Sequence, residues 1–532
     1  MSTELLYQLI VNTANLYPNG EALKHKKESL TYTQLASRTQ SVAAGLQGIG
    51  LSRFERVAIY LPKCFENVLA CFGSNMAGGV FVPVNPLLKA PQVTHILNNC
   101  NARILVTAAV RLEGLANSLD DCHDLQTVIL IDDRDISNIR ASLPNITFYT
   151  WAEIEKSAAF YRPIPNIDVD MAAILYTSGS TGKPKGVVLS NRNMLSGAKS
   201  VASYLQNTAS DRILAVLPFS FDYGFSQLTT AFSVGATAVM MDYLLPRDVV
   251  RAIDREKITG LAAVPPLWIK LAELEWSPSI SGHLRYMTNS GGAMPGTTLS
   301  SLRQALPMSK FYLMYGLTEA FRSTYLPPDE IDQRPDSMGK AIPNAEILVV
   351  REDGSPCAAG EPGELVHRGS LVALGYWNDP DKTAERFKPV PSPNTAIPLT
   401  EIAVWSGDTV KMDDQGYLYF ISRKDEMIKT SGYRVSPTEV EEVIYSSGLV
   451  AEAVALGIRH PELGQAILIV ATSKASGQVD LEALINYCKQ ELPGFMVPAA
   501  IMEKDSLPRN PNGKIDRKLL ATEFNDHFKQ TN

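Results

Sequence analysis

Cysteine is scarce in this sequence: six in 532 residues, at positions 64, 71, 100, 122, 357 and 488. No two stand in C-x-x-C spacing, and only His123 neighbours one of them. That excludes a zinc ribbon or a disulfide framework, and it fits the reduced, buried thiols of a cytoplasmic protein. Also missing is any uninterrupted apolar run of the ~20 residues that a membrane-spanning helix needs. The first residues carry Glu4 and lack both a basic leader and a long apolar segment, so neither a secretory signal nor a membrane partner is expected. Nor does one sign of charge dominate. With 49 Lys and Arg against 56 Asp and Glu, the formal net charge is −7, which argues against a nucleic-acid partner.

What is present is an ordinary globular composition on a chain too long for one core, so two or more domains are expected. Leu5, Leu6, Leu9 and Ile10 sit at helical spacing. Leu30-Thr31-Tyr32 leads into a second helix, with Thr33 as its expected start. Apolar strand-like runs then alternate with helical patterns: strands over 56–61, 79–84, 102–107 and 127–131, with a helix over 66–76. The alternation continues through 213–217, 236–241 and 260–264. Such alternation implies an α/β fold with parallel sheets covered on both faces. From about Ala341 the strands shorten and turns multiply, which predicts a small β subdomain. Past the charged run Ser422-Arg423-Lys424-Asp425-Glu426 lies a compact α+β segment. The expected division is therefore 1–424, a large domain of two α/β sheet subdomains plus the β subdomain, and 425–532, a small α+β domain.

After the apolar strand Ala172-Ala173-Ile174-Leu175 comes Thr177-Ser178-Gly179-Ser180-Thr181-Gly182-Lys183-Pro184-Lys185-Gly186. Glycines let backbone N–H groups approach an anion, hydroxyls donate to phosphate oxygens, and the lysines neutralise charge. Pro184 disfavours helical geometry at Lys183, so this is not the nucleotide loop that runs directly into a helix.

At this string the sequence resembles the adenylate-forming superfamily: acyl-CoA synthetases, adenylation domains of nonribosomal peptide synthetases, stand-alone carrier-protein ligases and beetle luciferases. The resemblance runs through most of the chain. It includes Leu30-Thr31-Tyr32, the stretch 77–84, Asn289-Ser290-Gly291-Gly292-Ala293 and Tyr315-Gly316-Leu317-Thr318-Glu319. It continues in Gly363-Glu364-Leu365, Trp405-Ser406-Gly407-Asp408, Ser422-Arg423-Lys424-Asp425 and Asn512-Gly513-Lys514.

The resemblance implies a two-step reaction that needs ATP and Mg²⁺. A carboxylate attacks the α-phosphorus of ATP and releases pyrophosphate; a thiol then displaces AMP. Thr318 and Glu319 would be catalytic, with Glu319 holding the metal. Thr177, Ser178, Gly179, Ser180, Thr181, Gly182, Lys183 and Lys185 would grip phosphate. Gly291, Gly292, Ala293, Tyr315 and Gly316 would form the adenine pocket, Asp408 would read the ribose hydroxyls, and Arg423 would partner it. Lys514, expected at the tip of a hairpin turn that opens a strand, would bridge carboxylate, ribose and phosphate. Asp425 would be the hinge about which the small domain rotates, bringing the loop at Gly432 to a thiol tunnel. Without the motif contexts, Glu319 and Lys514 read as solvated charges and Tyr315 as a core aromatic.

For the acid, Phe219-Ser220-Phe221-Asp222 places Asp222 where amino-acid-activating relatives hold the substrate amine; a helix cap is its other reading. Tyr223, Ser226, Ala263, Thr288, Ser290, Met314, Arg322 and Ser323 would line the rest of the pocket. Tyr223 and Met314 leave little room for a long chain, and Arg322 fits no simple pattern. The string from Tyr315 to Pro328 resembles stand-alone prolyl carrier-protein ligases and also a group of bacterial acyl-CoA-ligase-like proteins, which implies a small acid: an amino acid with L-proline foremost, or alternatively a small non-amino acid activated by an acyl-CoA synthetase. The acceptor thiol is expected in trans, on a separate carrier protein or on coenzyme A. A luciferase-type oxygenase and a non-catalytic binding protein are the other classes. Nothing points to a luciferin pocket, and Glu319, Asp408 and Lys514 together argue against loss of catalysis.

Overall fold

The structure, a computed structural model, describes residues 4–157, 160–177, 184–390, 396, 400–423, 427–430, 433–460, 463–474, 477–492, 494–510 and 513–528. A 14-stranded sheet and an 8-stranded sheet make up the large domain, and a 5-stranded sheet anchors the small one. In the largest sheet, Glu21–His25, Thr237–Met240, Arg212–Ala215, Gly260–Ala263, Tyr286–Asn289 and Lys310–Tyr315 run parallel in that spatial order. Thr237–Met240, Gly260–Ala263 and Tyr286–Asn289 are buried on both faces, as covered parallel strands require. The second sheet centres on Arg56–Tyr60, Val80–Pro83 and Met171–Thr177, with the strand Lys185–Ser190 folded back antiparallel on the last.

Helices fill the space between these sheets. Helix Phe65–Met76 is buried at every position except Glu66, and helix Asp222–Val234 is buried from Asp222 to Phe232. An all-round apolar helix is what a middle layer demands. Phe225 of the second helix stacks on Phe72 of the first at 5.8 Å and on Phe81 of the second sheet at 5.0 Å, which ties both halves into one core.

The small domain packs helices Pro437–Ser446, Leu481–Glu491 and Arg517–Glu523 on the strands Glu452–His460 and Gly464–Thr472. Among the described residues no helix is long and apolar enough to cross a membrane, and all six cysteines are free, four of them buried.

The β subdomain joins the large sheet: Ser337–Ala341 pairs with Thr324–Leu326 on one side and Leu418–Arg423 on the other. Two expectations are corrected. The second helix starts at Tyr32, two residues after Leu30. Thr31 accepts from the Gln34 N–H while the Gln34 side chain accepts from the Thr31 N–H, a reciprocal cap that Thr33 cannot form. The residues after Lys514 form a single bridge, Arg509 to Ile515, and then a helix; Asp516 caps it by accepting from the Leu519 N–H at 2.9 Å.

Candidate active site

The carboxyl ends of the parallel strands open on one crevice, the position where open α/β sheets bind ligands. Asn289 ends one strand and passes into Ser290-Gly291-Gly292. Tyr315 ends its neighbour and passes into Gly316, and Ala263 ends a third. Gly291 has φ +85°, a conformation that favours glycine. Ala263, Thr288, Ser290 and Met314 are buried beneath this edge, while Gly292 and Ala293 are exposed on it. The Tyr315 hydroxyl donates to Asp408 Oδ2 at 2.5 Å, joining two residues 93 apart in sequence. Arg423 pairs with Asp408 through the backbone ladder.

Lys514 comes from the small domain. A methyl group on Gly291 would lie 3.5 Å from Lys514 Cε, so this side chain reaches over the glycine turn into the crevice. Its hairpin is closed by Asn510 N–H donating to the Lys514 carbonyl at 2.8 Å, with Gly513 at φ +80°.

Glu319 sits on the short 3₁₀ turn Thr318–Ala320. The Tyr376 hydroxyl donates to its Oε1 at 2.5 Å, and burial, then the Glu319 charge, pushes the Tyr376 pKa up. The segment around Tyr376 also holds the strand Lys185–Ser190. Ala373 N–H donates to the Glu319 carbonyl and Trp377 N–H to the Gly186 carbonyl, and Lys185 Nζ lies 5.6 Å from the Tyr376 ring. Sequence reading missed Tyr376; its only signal is an aromatic pair after Gly375. Thr177 and Lys185 face each other where that strand folds back on Met171–Thr177. The intervening predicted residues Ser178, Gly179, Ser180, Thr181, Gly182 and Lys183 lie outside the described residues, as do Asp425 and Gly432.

One half-buried carboxylate with its second oxygen left by Tyr376 suits Mg²⁺, a hard cation bound by one or two protein carboxylates plus substrate phosphates. No cluster of three or more potential metal ligands occurs among the described residues. Losing a hydrogen bond to a charged group costs about 1.5–3 kcal/mol. Tyr376→Phe is therefore expected to slow acid activation about 10-fold or more and to raise the Mg²⁺ concentration needed. A Mg²⁺ titration of pyrophosphate exchange checks this.

Next to Thr318 lies a buried pair of opposite charges. Asp222 is the first residue of its helix, and Phe221 occupies the cap position, so the cap reading of Asp222 is set aside. The Asp222 carboxylate is 3% exposed. Burial pushes its pKa up, and Arg322 and then Lys514 pull it back. Arg322 Nη1 lies 3.6 Å from Asp222 Oδ2, and Thr318 Oγ1 donates to Oδ1 at 3.4 Å. Arg322 is 2% exposed, and its guanidinium covers the Tyr223 ring at 4.5 Å. Tyr223 in turn donates to the Thr288 carbonyl at 2.8 Å. Arg322 is aimed here by Phe321, a buried residue with φ +56°, a strained value for a bulky side chain. The Phe321 ring fills the space where a Cβ of Gly197 would lie, 2.3 Å away.

Ser323 follows, and its hydroxyl pairs with Nδ1 of His367 at 2.9 Å. Burial drops the His367 pKa to about 3. The unfolded chain, with an ordinary histidine near 6.5, takes up a proton that the folded chain refuses. His367 thus leaves stability unchanged above pH 6.5 and lowers it as pH falls from there toward 3, by up to about 1.4 kcal/mol per unit. The stability difference between wild type and His367→Gln, measured by urea unfolding, should shift by about 1.4 kcal/mol in the variant's favour from pH 7.5 to 5.5.

A strand-end glycine turn, a half-buried carboxylate at Glu319 and a lysine from the small domain come together at one edge of the large sheet. The chain belongs to the family of AMP-binding enzymes, matched over residues 10–377, with the family's C-terminal domain matched over 439–514. It is 30% identical to a long-chain-fatty-acid–CoA ligase of Escherichia coli O157:H7, over 95% of this chain and 92% of the relative. It is also 30% identical to part of a linear gramicidin synthase of Brevibacillus parabrevis, over 94% of this chain and 6% of that protein. Among solved structures, O-succinylbenzoate coenzyme A synthetase from Bacillus subtilis, in complex with ATP and magnesium ion, superposes with a TM-score of 0.80 at 26% identity. That match covers 96% of this chain and 98% of that one. The chain is an AMP-forming acid–thiol ligase that uses ATP and Mg²⁺.

Proposed function

We propose that the chain adenylates a small polar carboxylic acid and passes the acyl group to a phosphopantetheine thiol, on a separate carrier protein or on coenzyme A. The observation that carries this reading is Lys514 reaching over Gly291: it supports a role for a cation from the small domain between the acid and the α-phosphate. In the first step the carboxylate oxygen attacks the α-phosphorus, and the bond to pyrophosphate breaks. Lys514 orients the carboxylate and offsets charge on the transferring phosphoryl group. Glu319 would hold Mg²⁺, which when bound would further neutralise phosphate charge. Asp408, backed by Tyr315, holds the ribose hydroxyls, with Arg423 as its partner. Rotation about Asp425 then withdraws Lys514 and brings the loop at Gly432 forward. The thiolate attacks the carbonyl carbon, and AMP leaves. The large domain 1–424 does the binding and the domain 425–532 does the switching.

The buried pair of charges argues against a long aliphatic chain, because Asp222 and Arg322 would lose their polar surroundings against hydrocarbon. An amino acid, L-proline foremost, is supported by Asp222, whose carboxylate would meet the ammonium. A small acid without an amine is supported by Arg322, which already supplies a cation to Asp222. Tyr223, Ser226, Ala263, Ser290, Met314 and Ser323 bound the cavity in either case. The test is ATP–pyrophosphate exchange across a panel of L-proline, other amino acids and short acids, followed by thioester detection with coenzyme A and with holo-carrier protein. Exchange with small acids and none with long-chain fatty acids is expected; exchange led by palmitate would sink the reading.

A further inference from the structure

Asp222 and Arg322 form a buried ion pair that is poorly satisfied on both sides. Their closest approach, 3.6 Å, is too long for a hydrogen bond. Arg322 Nε and Nη2 are buried without a hydrogen-bond partner among the described residues. Among the described residues, the hydrogen-bond contacts of Asp222 are the 3.4 Å contact from Thr318 and a backbone contact at Tyr223. One helical turn on from Asp222, Ser226 Oγ is likewise buried and without a partner among the described residues. Buried guanidinium N–H groups left unpaired each cost free energy, so such an arrangement is kept where a ligand completes it.

The pair is neutral overall, and this limits what completes it. An ammonium satisfies Asp222 but sets a like charge beside the guanidinium and leaves two donors idle. A second carboxylate satisfies Arg322 but sets a like charge beside Asp222. In a site where both residues are at most 3% exposed, either excess charge is costly. A hydrocarbon satisfies neither. A hydroxyl or a carboxamide accepts from Arg322 and donates to Asp222 at once, without adding charge.

We infer that Asp222 and Arg322 act together as a two-headed reader that selects acids bearing an uncharged donor–acceptor group, a hydroxyl or a carboxamide. This rests on the acid-adenylating reading above, and it favours hydroxy or carboxamide acids over amino acids at the same site. Tyr223 under the guanidinium and Phe321 behind it fix the reader's position.

The experiment is pyrophosphate exchange by the full chain with shape-matched sets. One set is 2-hydroxypropanoate, 2-methylpropanoate and 2-aminopropanoate. A second is the 3-substituted butanoate trio with hydroxyl, methyl and amine. A third is succinamate, succinate and 4-oxopentanoate. In at least one set the hydroxy or carboxamide acid should exceed its partners by about 100-fold in kcat/KM, as expected where a site is built to hydrogen-bond the substrate. In the double variant Asp222→Asn/Arg322→Met the preference should fall below about 5-fold. Its melting temperature is read alongside, and the wild-type panel decides the matter by itself if the variant does not fold. Activity led in every set by the amine, the methyl, the carboxylate or the ketone overturns this inference alone. Exchange with no acid at all, from folded protein, overturns the ligase reading and this inference together.

Discussion

Lys514→Ala should lose acyl-adenylate formation by about 10²–10³-fold, the scale for removing one preorganised charge from a reacting centre. It should keep nearly all of the second half-reaction. The reason is geometric. Lys514 reaches the crevice from a different domain and lies over Gly291, so its contribution belongs to one arrangement of the two domains. Thiol attack on an adenylate supplied ready-made would proceed in the other arrangement, where the lysine is withdrawn. Single-turnover assays, one from acid and ATP and one from synthetic acyl-adenylate and thiol, separate the two. Equal loss in both halves would mean that Lys514 serves both steps.

Gly224→Ala should cost about 3 kcal/mol of stability and raise KM for the acid, with less effect on KM for ATP. Gly224 follows Tyr223 in the helix that begins at Asp222. A Cβ there would lie 2.0 Å from the Pro218 carbonyl oxygen and 2.8 Å from its carbon. Both are backbone atoms, so no rotamer change relieves the contact. The helix start must move away from the 218–221 loop, and Asp222 and Tyr223 move with it. Urea unfolding and substrate titrations measure the two effects. A wild-type melting curve would show that the loop yields without cost.

The parts of this fold that were legible in the sequence are those governed by local pattern. The parallel strands announce themselves because burial on both faces demands unbroken apolar runs such as 57–61 and 260–263. The glycine turn at Gly291 is legible because its backbone needs positive φ. Pairings across long sequence separations were not legible. Tyr376 and Glu319 stand 57 residues apart and share a hydrogen bond that no spacing rule predicts. Asp222 and Arg322 were each assigned to the pocket, yet their ion pair exists only because the strained Phe321 turns the chain back toward the helix. The β subdomain is legible from its short, turn-rich strands; its attachment to the large sheet is not, because it depends on backbone pairing of Ser337–Ala341 on both edges, which side-chain pattern does not encode. The helix after Lys514 was read as a strand because Asn512-Gly513 is a hairpin signal, and the cap at Asp516 outweighs it.

The central claim is that the acid's own oxygen attacks the α-phosphorus of ATP, and isotope transfer tests it most directly. An accepted acid labelled with ¹⁸O in both carboxylate oxygens is turned over with ATP, Mg²⁺ and thiol, and the phosphorus products are weighed by mass spectrometry. One ¹⁸O per turnover should appear in AMP, with none in pyrophosphate or orthophosphate. Label in orthophosphate with ADP as co-product, or AMP without label, would contradict the account.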